Sequence, residues 1–257
     1  MEHLKLTAIV LRTVDYGESD RVVTLLTREQ GKLSAFARGA RASRRRFGGA
    51  LEPFTLVTAE ARMRAASDLL GLDSVAVVRG HGGILEDLAR IACAGYAAEL
   101  CRELVRDREP HGDLFDLLAS YLDLLDREPA RPAALRALEL GALRAAGLSP
   151  RLDECVRCGE PLDPGQGAFR FDPGQGGVLC RACAPAASPG APSLSAATQA
   201  ALLRLQAGGL AAAAGERLTP PAGREARDAL AAFVAHQLGL TLPARRFLDE
   251  VGPLLEG

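Results

Sequence analysis

Two stretches of this 257-residue chain carry residue types and spacings that can do chemistry. The first is built from cysteine. Cys155-Val-Arg-Cys158, running on into Gly-Glu-Pro, is followed, twenty-one residues after Cys158, by Cys180-Arg-Ala-Cys183, itself preceded by Gly177-Val-Leu. Two close thiolate pairs brought together satisfy a tetrahedral Zn²⁺, because each C-x2-C turn aims both sulfurs the same way. Gly159 allows the tight backbone that such a turn requires. Four sulfur ligands leave no open position, so one structural zinc ion on Cys155, Cys158, Cys180 and Cys183 is expected, not a catalytic one. Disulfides are the competing reading, and a cytosolic setting disfavours them.

The second stretch is cationic. Gly31-Lys32-Leu33-Ser34-Ala35-Phe36-Ala37-Arg38-Gly39 alternates, placing Leu33, Ala35 and Ala37 on one strand face. Lys32, Ser34, Phe36 and Arg38 fall on the other face. Beyond it, Ala40-Arg41-Ala42-Ser43-Arg44-Arg45-Arg46-Phe47-Gly48-Gly49 has no apolar period and reads as a flexible basic loop. Arginines neutralise phosphates and displace counterions, and an aromatic ring offers a base a surface to stack on. Lys32, Arg38, Arg41, Arg44, Arg45, Arg46 and Phe36 are therefore the candidate nucleic-acid contacts. Arg62 and Arg64 could extend that face, although solvent-exposed strand positions account for them equally well. Phe36 as a core residue beside a merely solvated loop is the bland reading of the same string.

The elements that must position these residues follow from periodicity. Residues 1–80 read as five short strands: Leu4 to Thr13, Arg21 to Thr27, the basic strand, Pro53 to Met63 and Leu69 to Arg79. Asp15-Tyr16-Gly17-Glu18 is a turn signal between the first two. Five strands with one long excursion fit a small OB-fold barrel, with an SH3-like barrel or a split sheet as alternatives. After His81-Gly82-Gly83 the period changes to helical, over 84–107, 113–126 and 133–146, and again near 194–207 and 222–238. Phe169-Arg-Phe171 and Val178-Leu179 read as a hairpin between the cysteine pairs. Cys93 and Cys101 read as small core residues of the first helix. The expected fold class is thus α+β with two domains. Residues 1–80 form an OB-fold, and residues 81–257 form an all-α domain with a zinc-ribbon-like knuckle inserted at about 153–185.

Charge is uneven although the net charge is only −1. Residues 1–80 carry thirteen Lys/Arg against nine Asp/Glu, and residues 81–149 eight against twelve. An anionic partner is therefore expected to meet the front of the chain. No apolar run reaches the roughly 18 residues that span a bilayer, and Met1-Glu2-His3-Leu4-Lys5 lacks a signal-peptide layout. The expected location is cytoplasmic.

Several strings together resemble the bacterial RecO family of recombinational repair proteins. They are Asp15-Tyr16-Gly17-Glu18-Ser19-Asp20-Arg21, Gly31-Lys32-Leu33, Arg38-Gly39-Ala40-Arg41, Phe47-Gly48-Gly49-Ala50-Leu51-Glu52-Pro53-Phe54, the four cysteines, and Arg245-Arg246-Phe247-Leu248. The resemblance implies an N-terminal OB-fold and a helical C-terminal domain. It implies binding of single- and double-stranded DNA and annealing of complementary strands, even when coated by single-stranded DNA-binding protein (SSB). It further implies work with RecR to load RecA onto gapped DNA, an involvement of RecF, and nucleoid association. Docking of the acidic, apolar SSB tail falls to the helical domain, where Arg131 and Arg136 are basic candidates. Some members of the family lack a complete cysteine set; this chain has all four.

Enzymatic alternatives lack their motifs. Gly31-Lys32-Leu33 has neither the upstream glycine nor the hydroxyl residue of an ATP-binding loop. No H-E-x-x-H, deaminase or nucleophile-elbow pattern is present. A metal-assisted nuclease would have to use Asp15, Glu18 and Asp20, which read as turn and cap residues. A zinc-ribbon adaptor of transcription or RNA binding shares the same features and differs only in its partner.

Overall fold

The structure, a computed structural model, describes residues 3–63, 69–162 and 167–251. Arg64 lies outside the described residues, as does the side chain of Arg44. The chain forms two compact units, Met1–Glu128 and Pro129–Gly257.

In the first unit, strands β1 (His3–Tyr16), β2 (Asp20–Thr27), β3 (Gly31–Ala37), β4 (Leu56–Arg62) and β5 (Leu70–Arg79) close into a barrel. Their order is β1-β2-β3-β5-β4, with β3 and β5 parallel and the other neighbouring pairs antiparallel. The alternation read in β3 is realised: Leu33, Ala35 and Ala37 are buried, while Lys32, Ser34 and Phe36 are partly exposed. Phe36 is thus an outward ring. The interior is filled by Leu6, Ala8, Val10, Val23, Leu25 and Val57, among others.

Two expectations change here. The first strand does not stop at Thr13; β1 runs on to Tyr16, paired with β2 as far as Tyr16↔Asp20. A bulge between Val10 and Arg12 shifts its register part-way. The basic stretch is not a flexible loop either. Arg44–Phe47 forms a short helix, α1, and Phe47, Ala50 and Leu51 enter the barrel core. Burying one such ring contributes about 1.5–3 kcal/mol, enough to fix a turn that its arginines alone would leave mobile.

Helices α2 (Leu88–Leu104) and α3 (Gly112–Arg127) belong to the same compact unit. Cys93 and Cys101 are fully buried in α2, and burial pushes the Cys101 thiol up to about 12, as expected of inert core residues. His81 fastens α3 to the barrel. Its Nδ1 lies 2.7 Å from the Phe54 carbonyl oxygen and its Nε2 2.9 Å from Asp123, which also pairs with Arg79. Burial pushes the Asp123 carboxyl up, but Arg79 and His81 outweigh it and hold the group below its ordinary value. Its stabilising effect is therefore complete above the unfolded carboxylate range and is lost as pH falls through the lower folded value. Urea titrations between pH 6 and 2 are expected to show an acid limb that is shallower in Asp123→Asn.

The second unit contains α4 (Pro132–Ala145), α5 (Ala196–Ala213), α6 (Pro220–Leu238) and α7 (Pro243–Val251). It also holds a small antiparallel sheet of β6 (Ala168–Asp172), β7 (Gly177–Leu179) and β8 (Ser193–Ser195), in the order β7-β6-β8. The hairpin between the cysteine pairs is realised as Phe171↔Val178 and Asp172↔Gly177. The third strand and α7 are additions to the sequence reading. Among the described residues no helix is long and apolar enough to cross a membrane.

Candidate functional site

The four cysteines converge. Their sulfurs all lie within 4.8 Å of one another, with Cys158 and Cys180 3.9 Å apart, and none forms a disulfide. A tetrahedron with metal–sulfur bonds of about 2.3 Å places its sulfurs about 3.8 Å apart, so the set fits a zinc ion. Local hydrogen bonds shape both turns: Gly159 N–H donates to the Cys155 carbonyl, and the Cys183 and Ala184 N–H groups to that of Cys180. Gly159 has a φ of 74°, which a side chain would strain.

Electrostatics at the sulfurs are divided. Burial pushes the Cys155 thiol up, but the backbone amides of Cys180, Cys158 and Arg157 outweigh it and bring it down to about 6. Cys183, desolvated and crowded by the other three sulfurs, is pushed up to about 12. Four thiolates cannot share this space unless a cation compensates them.

The hairpin that carries Cys180 is pinned on three sides. Asp172, fully buried, accepts hydrogen bonds from the Gly174 and Ser188 N–H groups at 2.9 and 2.7 Å and from Gln175 Nε2 at 2.9 Å. Phe171 meets Phe233 of α6 edge to face, centroids 5.8 Å apart. A Cβ at Gly177 would stand 2.2 Å from the Arg151 carbonyl oxygen, so only glycine lets β7 pass that close.

On the barrel, the turn after β3 is tied to the turn after β1. Gly39 N–H donates to Asp20 Oδ1 (2.7 Å) and Arg41 N–H to the Ser19 carbonyl (3.0 Å). The Arg41 guanidinium donates to the Glu18 carbonyl at 3.1 Å and lies 3.8 Å from Asp15. Arg46 donates to the Arg38 carbonyl (2.8 Å) and to Ser43 Oγ (3.2 Å), and lies over the Phe47 ring. Arg38, Arg41, Arg45 and Arg46 are thus exposed side chains on one folded segment.

Lys32 is placed differently. Its side chain is largely buried, donates to the Arg102 carbonyl at the end of α2 (2.8 Å) and pairs with Asp107 at 3.2 Å. Arg62 pairs with Asp73. The ring of Phe36 stands at 80° to that of Tyr16, centroids 5.7 Å apart. Tyr16 sits in the turn-like string Asp15-Tyr16-Gly17-Glu18 yet is the last residue of β1. The alternation of Arg12, Val14 and Tyr16 was the signal that β1 continues and places this ring on the outer face.

Comparison with known proteins settles the ancestry of this arrangement. The family model for the N-terminal part of recombination protein O matches residues 1–81, and that for its C-terminal part matches residues 85–246. The chain belongs to the RecO family. The DNA repair protein RecO of Anaeromyxobacter sp. (strain K) is 71% identical over 99% of both chains. That of Anaeromyxobacter sp. (strain Fw109-5) is 72% identical over 99% of this chain and 98% of its own. RecO of Myxococcus xanthus (strain DK1622) is 46% identical over 98% and 99%. The strings on which the resemblance rests fall at the β1–β2 turn, along β3, from α1 towards β4, at the two cysteine turns and in α7.

Proposed function

We propose that this protein is a non-catalytic mediator of DNA repair and recombination. It binds single- and double-stranded DNA, anneals complementary strands coated by SSB and, with RecR, helps load RecA onto gapped DNA. The observation that carries this reading is the gathering of Arg38, Arg41, Arg45 and Arg46 on one pinned segment beside an outward Phe36, in a member of the RecO family. Such a surface neutralises phosphates without reading sequence, as annealing of arbitrary strands requires. Lys32 supports the surface from below by anchoring β3 to α2.

The strand order and the parallel β3–β5 pair support an OB-fold as the DNA-binding domain over residues 1–80. The helical domain over 81–257 carries the zinc-ribbon-like insert at about 153–185, which we assign one structural Zn²⁺. Two of the three acidic residues a nuclease would need are engaged elsewhere: Asp15 pairs with Arg21, and Asp20 holds Gly39.

For the SSB tail we assign the pocket of about 540 Å³ lined by Arg131, Leu135, Arg136, Leu218, Arg227 and Leu248. Glu216 and Asp249 also line it and Arg136 is paired with Glu139, so Arg131 and Arg227 are the basic side chains that would meet an acidic, apolar peptide. RecR docking, an indirect involvement of RecF, cytoplasmic location and nucleoid association come to this chain from the family resemblance.

The test is annealing of two complementary labelled oligonucleotides, each coated with the cognate SSB, without ATP and with a nuclease control. Accelerated annealing without strand loss is expected. If bare strands anneal and coated ones do not, SSB docking fails and a general nucleic-acid adaptor becomes the better account.

A further inference from the structure

The outer face of the barrel carries more than charge. Cross-strand register aligns Val14 with Val22 and Val22 with Phe36, and Tyr16 follows Val14 on the same face of β1. Val14 is 43% exposed and Tyr16 61%. Single exposed apolar residues are ordinary on a protein surface. Here four neighbours form one patch, and the edge-to-face contact with Phe36 holds the Tyr16 ring at a fixed angle. The turn that follows Tyr16 also carries a cation: the Arg41 backbone N–H donates to the Ser19 carbonyl, and its exposed guanidinium donates to the Glu18 carbonyl, 3.8 Å from the Asp15 carboxylate.

We infer that Tyr16, held by Phe36, is a stacking platform for an unpaired base of single-stranded DNA, with Arg41 taking a neighbouring phosphate. This rests on the reading that the basic face binds DNA and adds to it a residue and a strand preference. An aromatic face bordered by cations matches the alternation of base and phosphate along a single strand. In a duplex the bases are already stacked on one another, so the ring has nothing to receive. Phe36 is the less exposed ring and acts as the buttress.

The decisive comparison uses Tyr16→Ala and Tyr16→Phe in the full chain, measured by fluorescence anisotropy on single-stranded and duplex oligonucleotides of equal length. Tyr16→Ala is expected to weaken single-strand binding about 5- to 100-fold, with duplex affinity and the salt slope unchanged. Tyr16→Phe keeps the ring and is expected to bind as the parent does.

The parent protein supplies a second readout. It has three tyrosines and no tryptophan, and Tyr96 and Tyr121 are buried. Quenching of tyrosine emission by a single strand therefore reports on Tyr16, and is expected to vanish in Tyr16→Ala. Unchanged single-strand affinity in Tyr16→Ala, in a parent that binds DNA, overturns the platform and leaves the basic face standing. Equal losses on single strand and duplex also overturn it, and so does a loss in Tyr16→Phe matching that in Tyr16→Ala. A parent that binds neither probe sinks the DNA reading itself.

Discussion

Changing Cys180 to Ser, or Cys155 to Ala, is expected to abolish stoichiometric zinc in the purified protein and to unfold much of the Pro129–Gly257 unit. Comparable sites contribute ~10–16 kcal/mol of apparent binding energy. Whole domains are stable by only about 5–15 kcal/mol, so little of this unit's cooperativity should survive. The damage extends beyond the cysteine turns because Cys180 directly follows β7, whose partner β6 packs Phe171 against Phe233 of α6. Metal analysis together with thermal unfolding reads the effect, and a chelator should reproduce it in the parent. DNA binding by the barrel is expected to persist. Should DNA affinity disappear while both units stay folded, the cysteine centre itself touches DNA.

The second large effect is electrostatic. Replacing Arg44, Arg45 and Arg46 together by Ala is expected to reduce the slope of log affinity against log salt by roughly 2 to 3 units, irrespective of sequence. At about 0.1 M salt this corresponds to roughly 100- to 500-fold weaker binding. Arg46 also holds the Arg38 carbonyl and covers Phe47, so the triple variant combines lost charge with a loosened α1. Arg45→Ala alone separates the two, since Arg45 is exposed, and should remove roughly 0.7 to 0.9 units of slope. A slope unchanged in both variants would take the segment out of the DNA interface.

Local pattern was enough to read some of these parts and not others. The alternation of β3 and the paired C-x2-C turns are written within a few residues each, and both appear in the structure as expected. Tyr16 escaped because Asp15 and Gly17 beside it carry the chemistry of a turn, while its strand pairing is set by β2. The short helix α1 has no apolar period, because three arginines, Arg44 to Arg46, precede the one ring, Phe47, whose burial fixes it. The positions of α2 and α3 beside the barrel are set by scattered long-range contacts, such as Lys32 with Arg102, Arg28 with Asp116 and His81 with Asp123. None of these leaves a periodic trace. The last helix, α7, was visible only as the string Arg245-Arg246-Phe247-Leu248, too short for its period to stand out.

The engagement of Lys32 at the end of α2 has a further consequence for how DNA is covered. With that cation committed, the exposed charges proposed for phosphates are concentrated between Arg38 and Arg46. On the proposed reading, the footprint of one molecule is expected to be only a few nucleotides long. A long gap would then hold many copies side by side, and apparent affinity is expected to rise with strand length as the number of available registers grows.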